Sequence, residues 1–314
     1  MRNLSILVCL DGSAYSRYAA ELAWRIAKNT GANVTAHHVI DTKGTEEFIV
    51  QEPAGFLNGK LYRSAYNNVR QELRDLAHEL RDTYLKESTR HGIRTDFVID
   101  EGDPVLAIAE RAKSHDLVII GHKPHAERTK PLYRRQFLRL SVAEALSHDC
   151  PRPMLVVQGE TELWSEMTVL VSIEHLNQNY VNACLDLAKL LSLRTNLTCL
   201  SSGDCEEPAD RLIKDLRQSD PRLADVAIDV ARLEDISMLD GQPVLEQFAE
   251  MDARRSTATL PVIPTRATGG NRVTVLDGSP TLFVRFLSLP SMLLLPEEHL
   301  LDTAAIPNLA TQTV

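Results

Sequence analysis

Ser5-Ile-Leu-Val-Cys-Leu-Asp11 returns as Thr168-Val-Leu-Val-Ser-Ile-Glu174, and this pair of stretches decides the fold. Each is a short apolar run ending in a carboxylate, the pattern of a strand buried on both faces of a parallel sheet. Asp11 leads through Gly12 and Ser13 into a helix whose Ala19, Leu22, Ala23, Ile26 and Ala27 share one face. Ser13 caps its start, and Lys28 with Gly31 marks its stop. Further strands read over residues 34–40, 95–99, 117–120 and 154–157. A loop of about twenty residues with two glycines and a proline follows the second strand, and then Val69, Leu73, Leu76, Leu80 and Tyr84 lay an apolar stripe along a long charged helix. Asp103-Pro104 opens a helix that turns Val105, Ile108, Ala109 and Ala112 inward, and Ser141 opens another over 142–148. The order is βαβαβαβαβ, which dictates right-handed crossovers and a doubly wound sheet.

The second half repeats the scheme. Gly102-Asp-Pro-Val-Leu106 aligns with Gly241-Gln-Pro-Val-Leu245, and Ser141 through Val157 aligns with Ser279 through Leu295 at a constant offset of 138. Two homologous α/β domains follow, 1–158 and 166–297, the second degenerate, joined by a polar connector near 158–166. The tail, 298–314, lacks a period.

With 314 residues, 44% hydrophobic and 25% charged, the chain has material for two cores and excludes disorder. Five cysteines form no CxxC pair and read as reduced thiols without a metal or disulfide role. No apolar run approaches the roughly 18 residues of a membrane helix, and the reading is a cytoplasmic chain with no membrane partner. The net charge of -9 divides into +1 over 1–160 and -10 over 161–314, which argues against a nucleic-acid partner.

Asp11-Gly12-Ser13, His38-Val39, Gly102-Asp103-Pro104, Asp116-Leu-Val-Ile-Ile-Gly121, Ser141-Val-Ala-Glu144 and Pro151-Arg-Pro-Met-Leu-Val-Val157 together resemble the universal stress protein family. The resemblance spans the first domain and reaches the second more thinly, so the chain looks like a tandem member. It implies two flavodoxin-like domains, each a five-stranded parallel sheet of order 3-2-1-4-5. It also implies a homodimer or an intramolecular pseudo-dimer through strand five, and stress-linked regulation, with or without a regulatory protein partner, in place of catalysis. Some members bind ATP and others do not. Those that bind it use a loop of pattern G-x2-G-x9-G-[ST], whose glycines admit phosphate to backbone N–H groups at a helix N-terminus.

Here Gly121 and Ser141 survive, Pro124 and Leu140 stand at the other two glycine positions, and six residues are inserted. The standard cradle is therefore expected to be absent. The insertion carries Lys123, Arg128, Lys130, Arg134, Arg135 and Arg139 against Glu127 alone. Two readings stay open: cationic side chains replace the lost backbone donors and hold ATP, another adenine nucleotide or another anion, or the run is a solvated surface. The candidate set is Asp11, Val39, Gly121, Lys123, Arg134, Arg135, Ser141 and Val142. Asp11 alternatively caps the first helix, Val39 and Ile40 serve the core, and Ser141 caps its helix. His122 and His125 read as solvated loop histidines, while His37 and His38 must face opposite sides of their strand.

In the second domain Thr265-x2-Thr268-x9-Gly278-Ser279 keeps the spacing without two glycines, Glu174 replaces the strand-one Asp, and Pro264 is taken to close the fourth strand. Packing support for the first domain is the reading there. No nucleophile elbow, Walker A, HExxH or pyrophosphatase loop occurs, so a non-catalytic interaction module leads, an anion sensor follows, and a slow ATP hydrolase is third.

Overall fold

A computed structural model describes residues 3–50, 59–123, 140–172, 178–201, 211, 213–215, 217–218, 221–224, 226–232, 259–268, 271–274, 279–285 and 289–296. The basic insertion beyond Lys123 with Arg134, Arg135 and His125, together with Glu174, Cys205, Gly241 to Leu245, Gly278 and the tail, lies outside them.

The first half runs β1 (Ser5–Cys9), α1 (Ala14–Thr30), β2 (Asn33–Asp41), α2 (Thr42–Val50), α3 (Gly59–Arg90), β3 (Thr95–Gly102), α4 (Pro104–Ala112), β4 (Leu117–Gly121), α5 (Val142–Asp149) and β5 (Met154–Val157). The second half contributes β6 (Glu166–Ser172), α6 (Gln178–Leu191), β7 (Arg194–Ser201), β8 (Ala227–Arg232), β9 (Thr259–Thr268), β10 (Asn271–Thr274), α7 (Pro280–Arg285) and β11 (Ser291–Pro296). The eleven strands among the described residues belong to one sheet of order β3-β2-β1-β4-β5-β11-β9-β6-β7-β8, with β10 on β9. Each half thus has the flavodoxin-like 3-2-1-4-5 order. The halves join where β5 and β11 pair antiparallel, Met154 opposite Leu294 and Val157 opposite Ser291. This is the pseudo-dimer arrangement, built within one chain.

Local sequence explains the ends. The Ser13 hydroxyl accepts from the Ser16 N–H, and Gly31 at φ 71° donates to the Ala27 carbonyl, which closes α1. Asp103 caps α4 through the N–H groups of Val105 and Leu106. Both helices bury the faces their periodicity assigned, with Leu22, Ile26, Ile108 and Ala112 buried. Cys9, Cys150, Cys184 and Cys199 are buried free thiols.

Four readings change. The loop expected after the second strand begins as α2, because the Asp41 carboxylate accepts from Gly44 N–H at 2.6 Å and its carbonyl from the Thr45 hydroxyl. On α3, Ala77 and Tyr84 are buried, whereas Val69 and Leu76 are exposed. For Val69 the reason is length, since thirty-two residues reach about 48 Å at 1.5 Å each, further than a nine-residue strand; Leu76 lies beside the covered face, which runs through Leu73, Ala77, Leu80 and Tyr84. The connector is not merely polar, since Trp164 and Thr161 are buried and Gln158 N–H donates to the Pro290 carbonyl at 2.9 Å. Pro264 does not close a strand: β9 runs through it to Thr268.

Candidate functional site

Asp11 and Gly121 stand at the carboxyl ends of the paired strands β1 and β4, where ligands of open α/β sheets sit, and Ser141 and Val142 open α5 beside His122. Asp11 is exposed, and its Oδ1 accepts from the Ser13 N–H at 2.9 Å. It therefore fixes the turn, and capping α1 falls to Ser13. Val39 is half-buried against the core, with its register partner Asp100 on β3. His38 Nδ1 lies 2.7 Å from the Leu10 carbonyl, so that nitrogen donates and ties β2 to the end of β1.

Gly121 has a packing role. A Cβ there would stand 2.4 Å from the Tyr15 carbonyl carbon and 2.5 Å from the Ser16 nitrogen, both backbone atoms of the first turn of α1. His122, expected in solvent, is 2% exposed. Its N–H continues the ladder to the Val157 carbonyl, which draws the ring under the start of α5, and its Nδ1 lies 3.4 Å from Ser141 Oγ. Lys123 is exposed, and Val142 is half-buried against the core.

The N-terminus of α5 is closed by its own residues. Ser141 Oγ accepts from the Glu144 N–H at 3.1 Å, and Glu144 Oε2 accepts from the Ser141 N–H at 2.6 Å. This reciprocal capping box occupies two of the donors that an anion would use, the N–H groups of Ser141 and Glu144. Glu144 is wholly buried, and its other oxygen accepts from Arg285 Nε of the second half at 3.1 Å. On the same interface Thr281 Oγ1 donates to the Glu144 carbonyl and lies 2.7 Å from His148 Nε2. Ser279 Oγ, the counterpart of Ser141 at offset 138, approaches the same nitrogen at 3.3 Å. The role of Glu144 was missed from sequence, although the S-x-x-E spacing within Ser141-Val-Ala-Glu144 signals it.

In the second half, Thr265 and Thr268, read as phosphate-loop positions, lie in β9. They pair antiparallel with Thr274 and Asn271 of β10. A hairpin stands where a cradle would be.

A cavity of about 460 Å³ beside Asp11, Gly12 and His38 is walled by Leu73, Leu76, Glu79, Leu80 and Thr83 of α3. Deeper on that side, Trp24 Nε1 donates to the Tyr84 hydroxyl at 3.0 Å. Across the sheet, the buried His37 is 2.9 Å from Asp100, which also accepts from Arg111 at 2.7 Å. Burial outweighs the Asp100 contact and pushes His37 down to about 4, so it is neutral near pH 7. Burial, then the neighbouring Cys150 and Asp11, pushes the Cys9 thiol far above its ordinary range, leaving it a poor nucleophile. Among the described residues no cluster of three His, Cys, Asp or Glu could hold a metal ion, and no helix is long and apolar enough to cross a membrane.

The chain is similar to a universal stress protein from Archaeoglobus fulgidus, at 16% identity and a TM-score of 0.64, over 95% of this chain and all of that one. It is also similar to a universal stress protein from Pseudomonas aeruginosa, at 15% identity and a TM-score of 0.51, over 94% and 93% of the two chains. These likenesses show the fold, across both halves. No curated protein matches the sequence. The universal stress protein family pattern matches residues 3–158. On that match, and on the strand order that carries it, the chain belongs to the universal stress protein family.

Proposed function

We propose that the chain is a non-catalytic, cytoplasmic regulatory module of the stress response that acts through its surfaces, with domains at 1–158 and 166–297. Its crevice no longer receives a nucleotide in the family manner. The observation that carries this is the buried Glu144 carboxylate bonded to Ser141 N–H at the N-terminus of α5. A phosphate brought within about 4 Å of that carboxylate meets about 4 kcal/mol of repulsion at an effective dielectric near 20. A helix terminus returns only about 0.3–1 kcal/mol, the paired Arg285 cation offsets part of the repulsion, and the Ser141 and Glu144 N–H groups are already taken. A triphosphate therefore does not fit at Ser141, and Gly121 faces the α1 backbone in place of a phosphate. The β9–β10 hairpin argues the same way for the second half.

The alternative is an adenine-nucleotide or anion sensor using Asp11, Lys123, Arg134 and Arg135, favoured by the cavity against Asp11 and Gly12. A slow ATP hydrolase comes third. Calorimetric titration with ATP and Mg²⁺ separates them. The module reading expects no saturable heat, while saturable binding weakened by Asp11→Ala and by Arg134→Ala/Arg135→Ala would establish the sensor. As for assembly, β5 and β11 each have strands on both sides, so a homodimer through strand five has no free edge, and we propose that strand-five pairing stays within the chain.

A further inference from the structure

We infer that the flank of α3 facing Asp11 is a docking groove for a basic, amphipathic segment of a partner protein. The inference rests on the interaction-module reading and names the chemistry of its partner. Val69, Glu72, Leu76, Glu79 and Thr83 recur at i, i+3, i+7, i+10 and i+14 and so form one stripe along α3. Val69 is 41% and Leu76 59% exposed, two of the four large apolar side chains so exposed among the described residues. Leu76, Glu79 and Thr83 also form part of the wall of the cavity beside Asp11 and Gly12. The stripe therefore continues into a pocket of about 460 Å³.

Charge decides the occupant. Four arginines of α3 are paired, Arg70 and Arg74 with Glu101, Arg81 with Asp82, and Arg90 with Glu87, while the exposed Arg63 and Lys86 lie beyond the two ends of the stripe. Asp11, Glu72 and Glu79 form no ion pair among the described residues. These carboxylates repel anionic lipid and nucleic acid. From Val69 to Thr83 the stripe spans fifteen residues, about 21 Å of helix at 1.5 Å per step, which is the footprint of a chain segment. The complement is an amphipathic helix that places an aliphatic side chain between Leu76 and Leu80 and sets Lys or Arg against Asp11 and Glu79.

The test titrates the full chain into two fluorescein-labelled synthetic helices, one with Leu on one face and Lys on the other, and its Glu-for-Lys counterpart. Saturable anisotropy is expected for the Lys peptide only. Glu79→Lys and Leu76→Ser, both at exposed positions and checked for folding by circular dichroism, are each expected to weaken it by about tenfold. Glu162→Lys, an exposed reversal on the connector, is expected to leave the affinity near wild type. Equal weakening by Glu162→Lys would reduce the effect to bulk charge and overturn the groove. So would unchanged affinity in Leu76→Ser, or no binding of the Lys peptide at all. Any of those results leaves the module reading standing on the ATP titration, and saturable ATP binding sinks that reading whatever the peptides do.

Discussion

Replacing Gly121 by Ala separates a packing glycine from a phosphate-binding one. The added Cβ meets Tyr15 C at 2.4 Å, Ser16 N at 2.5 Å and Tyr15 O at 2.6 Å, against an ordinary contact of 3.4 Å or more. The shortfall is 3.4 - 2.4 = 1.0 Å, and every contacting atom is backbone, so no side chain can rotate away. Either the first turn of α1 shifts by about 1 Å, or β4 withdraws from the sheet. Overpacking costs about 1–3 kcal/mol, and a clash confined to backbone belongs at the top of that range. For a unit of about 150 residues, 3 kcal/mol corresponds to a fall in Tm of roughly 6–12 °C. Urea unfolding followed by far-ultraviolet circular dichroism reads it. The reference is Gly12→Ala, where φ is 82° and nothing lies within 4 Å, so only the left-handed penalty of about 1–2 kcal/mol applies. A Gly121→Ala variant no less stable than wild type would refute the packing assignment, above all if nucleotide binding were lost with it.

Removing the cation from the interface between halves, Arg285→Met, is expected to cost about 2–3 kcal/mol because Glu144 stays buried. Adding Glu144→Gln should recover part of that loss in a double-mutant cycle, and strict additivity would mean that the pair is not coupled. His37 has a folded pKa of about 4 against 6.5 unfolded. Only the unfolded chain takes up its proton as pH falls from 6.5 towards 4, so stability drops across that window. From pH 7 to 5 wild type should lose about 2 kcal/mol more than His37→Asn, and parallel urea midpoints for the two would contradict it. Tyr84→Phe strips the acceptor from the buried Trp24 Nε1 and should cost about 1–2 kcal/mol, measured by tryptophan fluorescence during unfolding; a loss within error would remove that hydrogen bond from the account.

Much of the fold is legible in residues. The apolar runs at Ser5 and Thr168, the Ser13 and Asp103 caps, and the offset of 138 that relates α5–β5 to α7–β11 lead to two doubly wound halves, and the family resemblance supplies the 3-2-1-4-5 order that each adopts. Other features needed tertiary context. The spacing Thr265-x2-Thr268-x9-Gly278 fits a loop template, yet β-branched residues flanking Gly269-Gly270 are also a hairpin signal, and pairing chose the hairpin. Val69 and Leu76 fit the buried stripe by period, but Val69 lies where α3 outreaches the sheet and Leu76 stands one position off the face through Ala77 that the sheet covers. His122 looked solvated because it opens a charged insertion, whereas one more ladder bond to Val157 pulls it inside. Of the candidate residues, Asp11 and Gly121 stand at the ends of neighbouring strands and Ser141 opens α5 beside His122. The obstacle to a phosphate is Glu144, visible as a capping residue in sequence, while its anchor Arg285 lies 141 positions away, beyond the reach of any local pattern.

The central claim is that the crevice carries no nucleotide. The most direct measurement denatures freshly purified protein and quantifies released small molecules by anion-exchange chromatography with mass detection. The account expects no adenine nucleotide in stoichiometric amount. Close to one adenine nucleotide per chain would contradict it and make the basic insertion, with Asp11, a working anion site.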